Sequence, residues 1–119
     1  MEIEYLNYDE QTDHLTIYKS EEKIVSNIDT GLAILSLNKR KEIVGIEFMG
    51  ATQNFKVPLD ILKNLQGCRV EMRYNPSTKI LIINAILEYQ HKESPIVCSY
   101  ENFDMGNTAF TQKFACSIS

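Results

Sequence analysis

Hydrophobic and polar residues alternate along much of this chain with a period of two, the spacing of strands with one buried face. Ile3 to Tyr8 alternates, Asp9 to Asp13 is a polar turn, and His14 to Lys19 alternates again. The charged run Ser20-Glu21-Glu22-Lys23 predicts another turn, and Ile24 to Asp29 a third strand. Gly31 interrupts as a bulge. Leu32 to Leu37 and Glu42 to Phe48 read as two further strands around a turn from Asn38 to Lys41. Short strands joined by short turns predict a β-meander.

The period changes at Pro58. Leu59, Leu62 and Leu65 recur every three residues, with Pro58 suited to a helix start and Gly67 to its end. This predicts one helix from Pro58 to Gln66, too short to stand alone, whose leucine stripe packs on the sheet. Beyond Gly67, Cys68, Val70 and Met72 alternate with Arg69, Glu71 and Arg73. Asn75-Pro76-Ser77 is a turn, and Ile80 to Leu87 is nearly all apolar. Such a run predicts burial on both faces, in a central strand or one covered by a second chain. Tyr89 to Pro95 reads as a loop, Ile96 to Ser99 as a strand, Asp104 to Asn107 as a turn and Thr108 to Cys116 as a last strand; Ser117-Ile118-Ser119 is expected to fray.

Two segments repeat. Tyr8-Asp9-Glu10-Gln11-Thr12-Asp13-His14-Leu15-Thr16-Ile17 returns in altered form at Tyr74-Asn75-Pro76-Ser77-Thr78-Lys79-Ile80-Leu81-Ile82-Ile83, and Ile24-Val25-Ser26-Asn27 is echoed by Ile96-Val97-Cys98-Ser99. A repeat announces a structural unit used twice. The expected architecture is α+β: one domain over residues 1–119, mostly antiparallel sheet, made of two related β units (1–55 and 68–119) joined by one short helical connector (56–67).

The length of 119 residues suffices for a core without disulfides or metal. Cys68, Cys98 and Cys116 are widely spaced and odd in number, so buried thiols are expected rather than a disulfide framework or a zinc site. No apolar run reaches the roughly 20 residues of a membrane span. The acidic, alternating start Met1-Glu2-Ile3-Glu4 lacks the features of a signal peptide, so a cytoplasmic chain is expected. Ten acids against five bases give residues 1–55 a charge of −5, and six acids against seven bases give residues 56–119 a charge of +1. An acidic half disfavours nucleic acid and suits a basic protein partner.

The first half resembles the small prokaryotic proteins grouped as domain of unknown function 2283. The resemblance rests on Tyr8-Asp9, on Asp13, Leu15 and Ile17, on Asp29, Gly31 and Leu32, and on the block Ile43-Val44-Gly45-Ile46-Glu47-Phe48-Met49-Gly50-Ala51. It covers about residues 3–52. Thr16 stands where the family pattern has an aromatic residue, and Lys39-Arg40-Lys41 where it has an acidic, glycine-containing turn. The resemblance implies a β-rich domain and no catalytic residues; some members resemble partners of small ribonuclease-like toxins.

Candidate chemistry is sparse. Ile28-Asp29-Thr30-Gly31 matches the Asp-Thr-Gly of aspartic proteases, which need two such aspartates sharing a proton. The second half offers only Glu101-Asn102-Phe103 there, so Asp29 is read as bonding backbone amides in a turn that Gly31 completes. Asp9, Glu10 and Asp13 lack the length and downstream glutamate of a calcium loop; Asp9 and Asn75 are read instead as Asx turns, with Asp13 a turn residue. His14 and His91 belong to no spaced ligand set, so no metal or cofactor is expected. Lys39, Arg40 and Lys41, with Ile80 and Ile82, are the candidate interaction residues. With no nucleophile–base pair visible, the expected function is a protein-interaction or regulatory module, antitoxin-like by the family resemblance, with homodimerisation through the Ile80–Leu87 strand. The alternatives are a nucleic-acid-associated module and a hydrolase using Asp29.

Overall fold

The computed structural model describes residues 4–19 and 22–117. Ile3, Ser20, Glu21 and the chain beyond Ser117 lie outside the described residues, and so do the expectations made for them. Among the described residues, nine strands and two short helices follow one another as β1 (Glu4–Asp9), β2 (His14–Lys19), β3 (Ser26–Asp29), β4 (Ala33–Leu37), β5 (Ile43–Phe48), α1 (Ala51–Asn54), α2 (Leu59–Lys63), β6 (Gly67–Asn75), β7 (Ile80–Tyr89), β8 (Lys92–Tyr100) and β9 (Phe110–Ser117). They build two antiparallel sheets, ordered β1-β2-β5-β4-β3 and β8-β7-β6-β9.

The first sheet is not the expected meander, because β2 pairs with β5 and not with β3. Side-chain content explains the order. β5 is buried at Ile43, Val44, Gly45 and Ile46 in succession and needs a neighbour on each side. β3 offers one apolar residue, Ile28, among Ser26, Asn27 and Asp29, and takes the edge, where exposure costs little. Gly31 is not a bulge. It sits at φ 97° in the turn from β3 to β4, and the irregular register falls later, between Ser36 and Leu37.

The connector also differs from expectation. Two helices of four and five residues replace a single helix from Pro58 to Gln66. Gly50 starts α1 in the left-handed region and Lys56, at φ 55°, separates it from α2. Leu62 and Leu65 are buried as the leucine stripe requires, but Leu59 faces out. In the second half the expected loop from Tyr89 to Pro95 is a hairpin. Gln90 and His91 both take positive φ, 47° and 61°, and β8 begins at once at Lys92. Such turns usually carry Asn or Gly, which hid this one.

Ile80–Leu87 is buried on one face only. Leu81, Ile83, Ala85 and Leu87 point inward, while Ile80, Ile82 and Ile86 point out. The inward residues join Val70, Met72 and Phe114 of their own sheet and Leu15, Ile17, Leu35, Ile46 and Phe48 of the other in one apolar cluster. The two sheets thus share a single interior. The edges β1 and β9 lie close together, with the Cys116 thiol 3.6 Å from the Tyr5 carbonyl and the Lys19 ammonium 5.1 Å from the Phe114 ring centroid. Gln112 adds a polar tie. Its side-chain oxygen accepts the Ile43 N–H at 3.1 Å and its amide donates to the Ile43 carbonyl at 3.4 Å, reaching from one sheet to the other.

The two tyrosine turns have the same geometry. Asp9 accepts the Gln11 amide at 2.9 Å, and Asn75 accepts the Ser77 amide at 2.9 Å. Asp13 and Lys79 close the turns at φ 58° and 56°. Beyond these hairpins the likeness stops: β7 pairs with the next strand, β8, whereas β2 does not pair with β3, so the echo of Ile24–Asn27 in Ile96–Ser99 joins strands in different places.

Left-handed backbone is strained for a residue with a β-carbon, by about 1–2 kcal/mol. Lys79→Gly should therefore raise stability by about 0.5–1 kcal/mol in urea unfolding. Asp13→Gly should lower it, because the Asp13 carboxylate bonds to Tyr8 and Thr52.

Candidate functional site

The first turn is anchored by Asp13. Its carboxylate accepts the Tyr8 hydroxyl at 2.6 Å, the Thr52 hydroxyl at 2.7 Å and the Thr52 amide at 3.1 Å. Its backbone carbonyl accepts the Ala51 amide at 2.9 Å. Asp13 thereby ties the β1–β2 turn to the first turn of α1. Partial burial pushes its acidity down, but the hydrogen bonds from Tyr8 and Thr52 outweigh that and hold the carboxyl below its ordinary pKa. Burial and the same bond push the Tyr8 phenol up to about 12. Asp9 binds its own turn and does not converge with Asp13, and no cluster of three metal-ligating side chains occurs among the described residues.

Tyr74 acts likewise in the second turn, through a different bond. Its hydroxyl accepts the Met105 amide at 3.1 Å and lies 3.4 Å from the Gly106 carbonyl, pinning the β8–β9 loop. Phe103 of that loop is buried and its amide donates to the Lys79 carbonyl at 2.8 Å.

Beside this loop, a cleft of about 620 Å³ holds Asp29, Thr30, Glu101 and Asp104. Each aspartate has its own partner: Asp29 accepts the Gly31 amide at 2.8 Å, and Asp104 accepts the Gly106 amide at 3.1 Å with the Lys79 ammonium at 3.9 Å. Both carboxylates are thus engaged in their own turns. Tyr100 borders the cleft with its hydroxyl buried and without a hydrogen bond; Thr30 lies beside it, but the Thr30 hydroxyl donates to the Ala33 carbonyl.

Lys39, Arg40 and Lys41 form the β4–β5 turn, organised by a residue that the sequence pattern does not single out. Asn38, buried to 4% exposure, accepts the Arg40 and Glu42 amides and donates to Glu22 and Glu42. Arg40 lies 2.6 Å from Glu42 and 3.4 Å from Glu22, which cancels its charge locally. The bonds from Asn38 and then Arg40 hold the Glu42 carboxyl below its ordinary range. Asn38 and Arg40 thus have structural partners within the turn, and Ile80 and Ile82 lie elsewhere, on the second sheet.

The outer face of that sheet carries the largest exposed apolar residues of its half. Ile82 is 43% exposed and Val97 66%. Register places Ile82, Asn84 and Ile86 of β7 against Ser99, Val97 and Pro95 of β8. On the other side, Arg73, Glu71 and Arg69 of β6 flank β7. These charges are bridged among themselves: Arg73 to Glu71, Arg69 to Glu88 at 2.9 Å and Glu93 at 2.8 Å, and Lys113 to Glu71 at 3.8 Å. A hollow of about 430 Å³ lies between Ile86, Asn84 and the charged row. Reading Tyr89 to Pro95 as a loop concealed Pro95 as a member of this face, and with it the hairpin that sets Val97 beside Asn84.

Residues 6–51 match the family described as protein of unknown function (DUF2283). The matched segment runs from Leu6 within β1 through the rest of the first sheet to the opening residue of α1. The block Ile43 to Ala51 supplies the buried central strand and the start of the helix that Asp13 holds. Gly45 lies there between Tyr18 and Ser36, where a β-carbon would stand 3.3 Å from that of Ser36. An uncharacterized protein of Methanocaldococcus jannaschii is 33% identical over 61 residues, which is 50% of this chain and 53% of the relative. The chain thus spans about half the length of that relative. No solved structure matches the chain. The DUF2283 match therefore carries a fold segment and no chemistry, and the second sheet, with its apolar outer face, lies outside it. No helix among the described residues is long and apolar enough to cross a membrane.

The depressed pKa of Asp13 gives a pH test. A carboxyl lowered in the folded state contributes stability above its unfolded pKa of about 4, and that stability is lost as pH falls through the folded value. Asp13→Asn should cost about 1–2 kcal/mol near neutral pH. The gap between wild type and variant in urea melts should shrink progressively below about pH 4.

Proposed function

We propose that the chain is a protein-interaction module whose contact surface is the outer face of the second sheet. The observation that carries this reading is the stripe of exposed Ile82, Val97 and Pro95 and half-buried Ile86 along β7 and β8, on a sheet whose other face is committed to the core. Exposed apolar patches rimmed by charge mark contact sites in soluble proteins. The surrounding ion pairs leave the rim polar but electrically balanced, which suits a folded protein surface better than a phosphate backbone. Regulation by occupancy, as in an antitoxin-like partner, is a mode of action such a face permits.

Site-specific photo-cross-linking in the native cell tests this. A benzophenone side chain at position 97 or 82 should give adducts, and one at the exposed positions Tyr18 and Leu59 should not. Adducts from Tyr18 or Leu59 without any from position 97 would contradict the reading.

A further inference from the structure

We propose that the open edge strand β3 is a separate contact site, which takes an extended, basic peptide segment of a partner protein as one more antiparallel strand of the first sheet. The site does not depend on the outer face of the second sheet.

The edges of the two sheets are β1, β3, β8 and β9. β1 and β9 lie against each other. β8 is blunted by Pro95, which has no N–H, and by the charges of Lys92 and Glu93. β3 carries neither proline nor lysine, and Asp29 at its end is its one charge. The Thr30 amide closes the hairpin to β4 by donating to the Ala33 carbonyl at 2.8 Å. Alternation from that pair turns the backbone of Ile28 and Ser26 toward β4. It leaves the N–H and C=O groups of Asp29 and Asn27 pointing away from the sheet. Just ahead of them, the Val25 amide donates to the Leu37 carbonyl at 2.8 Å, which holds this stretch alongside β4. Ile24 and Val25 are 47% and 50% exposed there. An unprotected edge flanked by exposed apolar side chains is a template for strand addition.

Charge selects the occupant. The cleft of about 620 Å³ lies at the C-terminal end of β3, where Asp29, Glu101 and Asp104 line it. The Lys79 ammonium, 3.9 Å from Asp104, offsets one of these three carboxylates. In antiparallel addition the N-terminal part of the incoming strand passes Asp29 toward this cleft, and its C-terminal part lies beside Val25 and Ile24. The segment that fits therefore has arginine or lysine first and β-branched apolar residues after. The β3 edge of a second copy is a poorer match, because it would bring Lys23 to the cleft together with Glu22, with no net positive charge.

The test uses the full chain, labelled with ¹⁵N, and a synthetic end-blocked peptide of two arginines followed by alternating valine and threonine. Binding should be micromolar at low salt and weaken as salt is raised. The bound peptide should slow hydrogen exchange at the Asn27 and Asp29 amides and leave those of Val97 and Ser99 unchanged. Methylating the peptide nitrogens that face β3 should weaken binding at least about tenfold, because each methyl group removes a ladder bond. Replacing both arginines by citrulline, their neutral isostere, should weaken it about threefold or more. Absence of saturable binding up to about 1 mM peptide, or protection at Val97 and Ser99 in place of Asn27 and Asp29, overturns the site. A methylated peptide that binds as well as the parent overturns strand addition, and a citrulline peptide that does so overturns the basic partner. Protection of Asn27 and Asp29 that grows with protein concentration in the absence of peptide makes a second copy the occupant and likewise overturns the proposal.

Discussion

Everything in this molecule depends on two sheets sharing one apolar interior. Neither sheet has a second layer of its own: the helices are a turn long and cannot cover a five-stranded or four-stranded face. Phe48, Ile46, Leu35 and Ile17 are therefore buried by Leu81, Ile83, Val70 and Met72, and the reverse. Each such side chain contributes about 1.5–3 kcal/mol when fully buried, and that burial is complete only when both sheets are in place. Gln112 adds direction to this otherwise non-directional packing. It completes the backbone bonding of Ile43, which would be left unpaired in the interior at a cost of about 1–3 kcal/mol for each group.

The same constraint explains the work of the two tyrosines. Long connections must leave one sheet and enter the other, or leave and rejoin the same sheet, at the ends of the sandwich. Tyr8 holds Asp13, which holds the first helical turn between β5 and β6; Tyr74 holds Met105 and Gly106 between β8 and β9. Two turns of like geometry thus each fix a connection that has little core of its own. The strand orders differ beyond it because the strands downstream of the two hairpins differ in side-chain content. β3 is polar and goes to an edge, whereas β8 buries Ile96 and Cys98 and pairs at once with β7.

Period-two alternation made most strands legible, and the Tyr-Asp and Tyr-Asn turns announced themselves by residue type. Three things were not legible, for physical reasons. Strand order depends on how much of each strand must be buried by others, which no local window contains; hence the mistaken meander. The Gln90-His91 turn uses two residues with β-carbons in left-handed backbone, so turn chemistry gives no warning and the residues that open β8 carry a loop's pattern. Asn38 is chemically an ordinary turn residue, and only burial with four hydrogen bonds shows that it, and not the neighbouring basic residues, governs its turn. For the candidate site, Ile80 and Ile82 were visible as part of an apolar run. Which face they occupy, and that Val97 and Pro95 complete it, emerges only from register.

Native-state hydrogen exchange in increasing urea tests the shared interior most directly. Amides of Ile17, Leu35 and Ile46 in the first sheet and of Val70, Met72 and Ile83 in the second should converge on one opening free energy and one urea dependence, the signature of a single cooperative unit. Two separate plateaus, with one sheet opening while the other stays protected, would contradict the account.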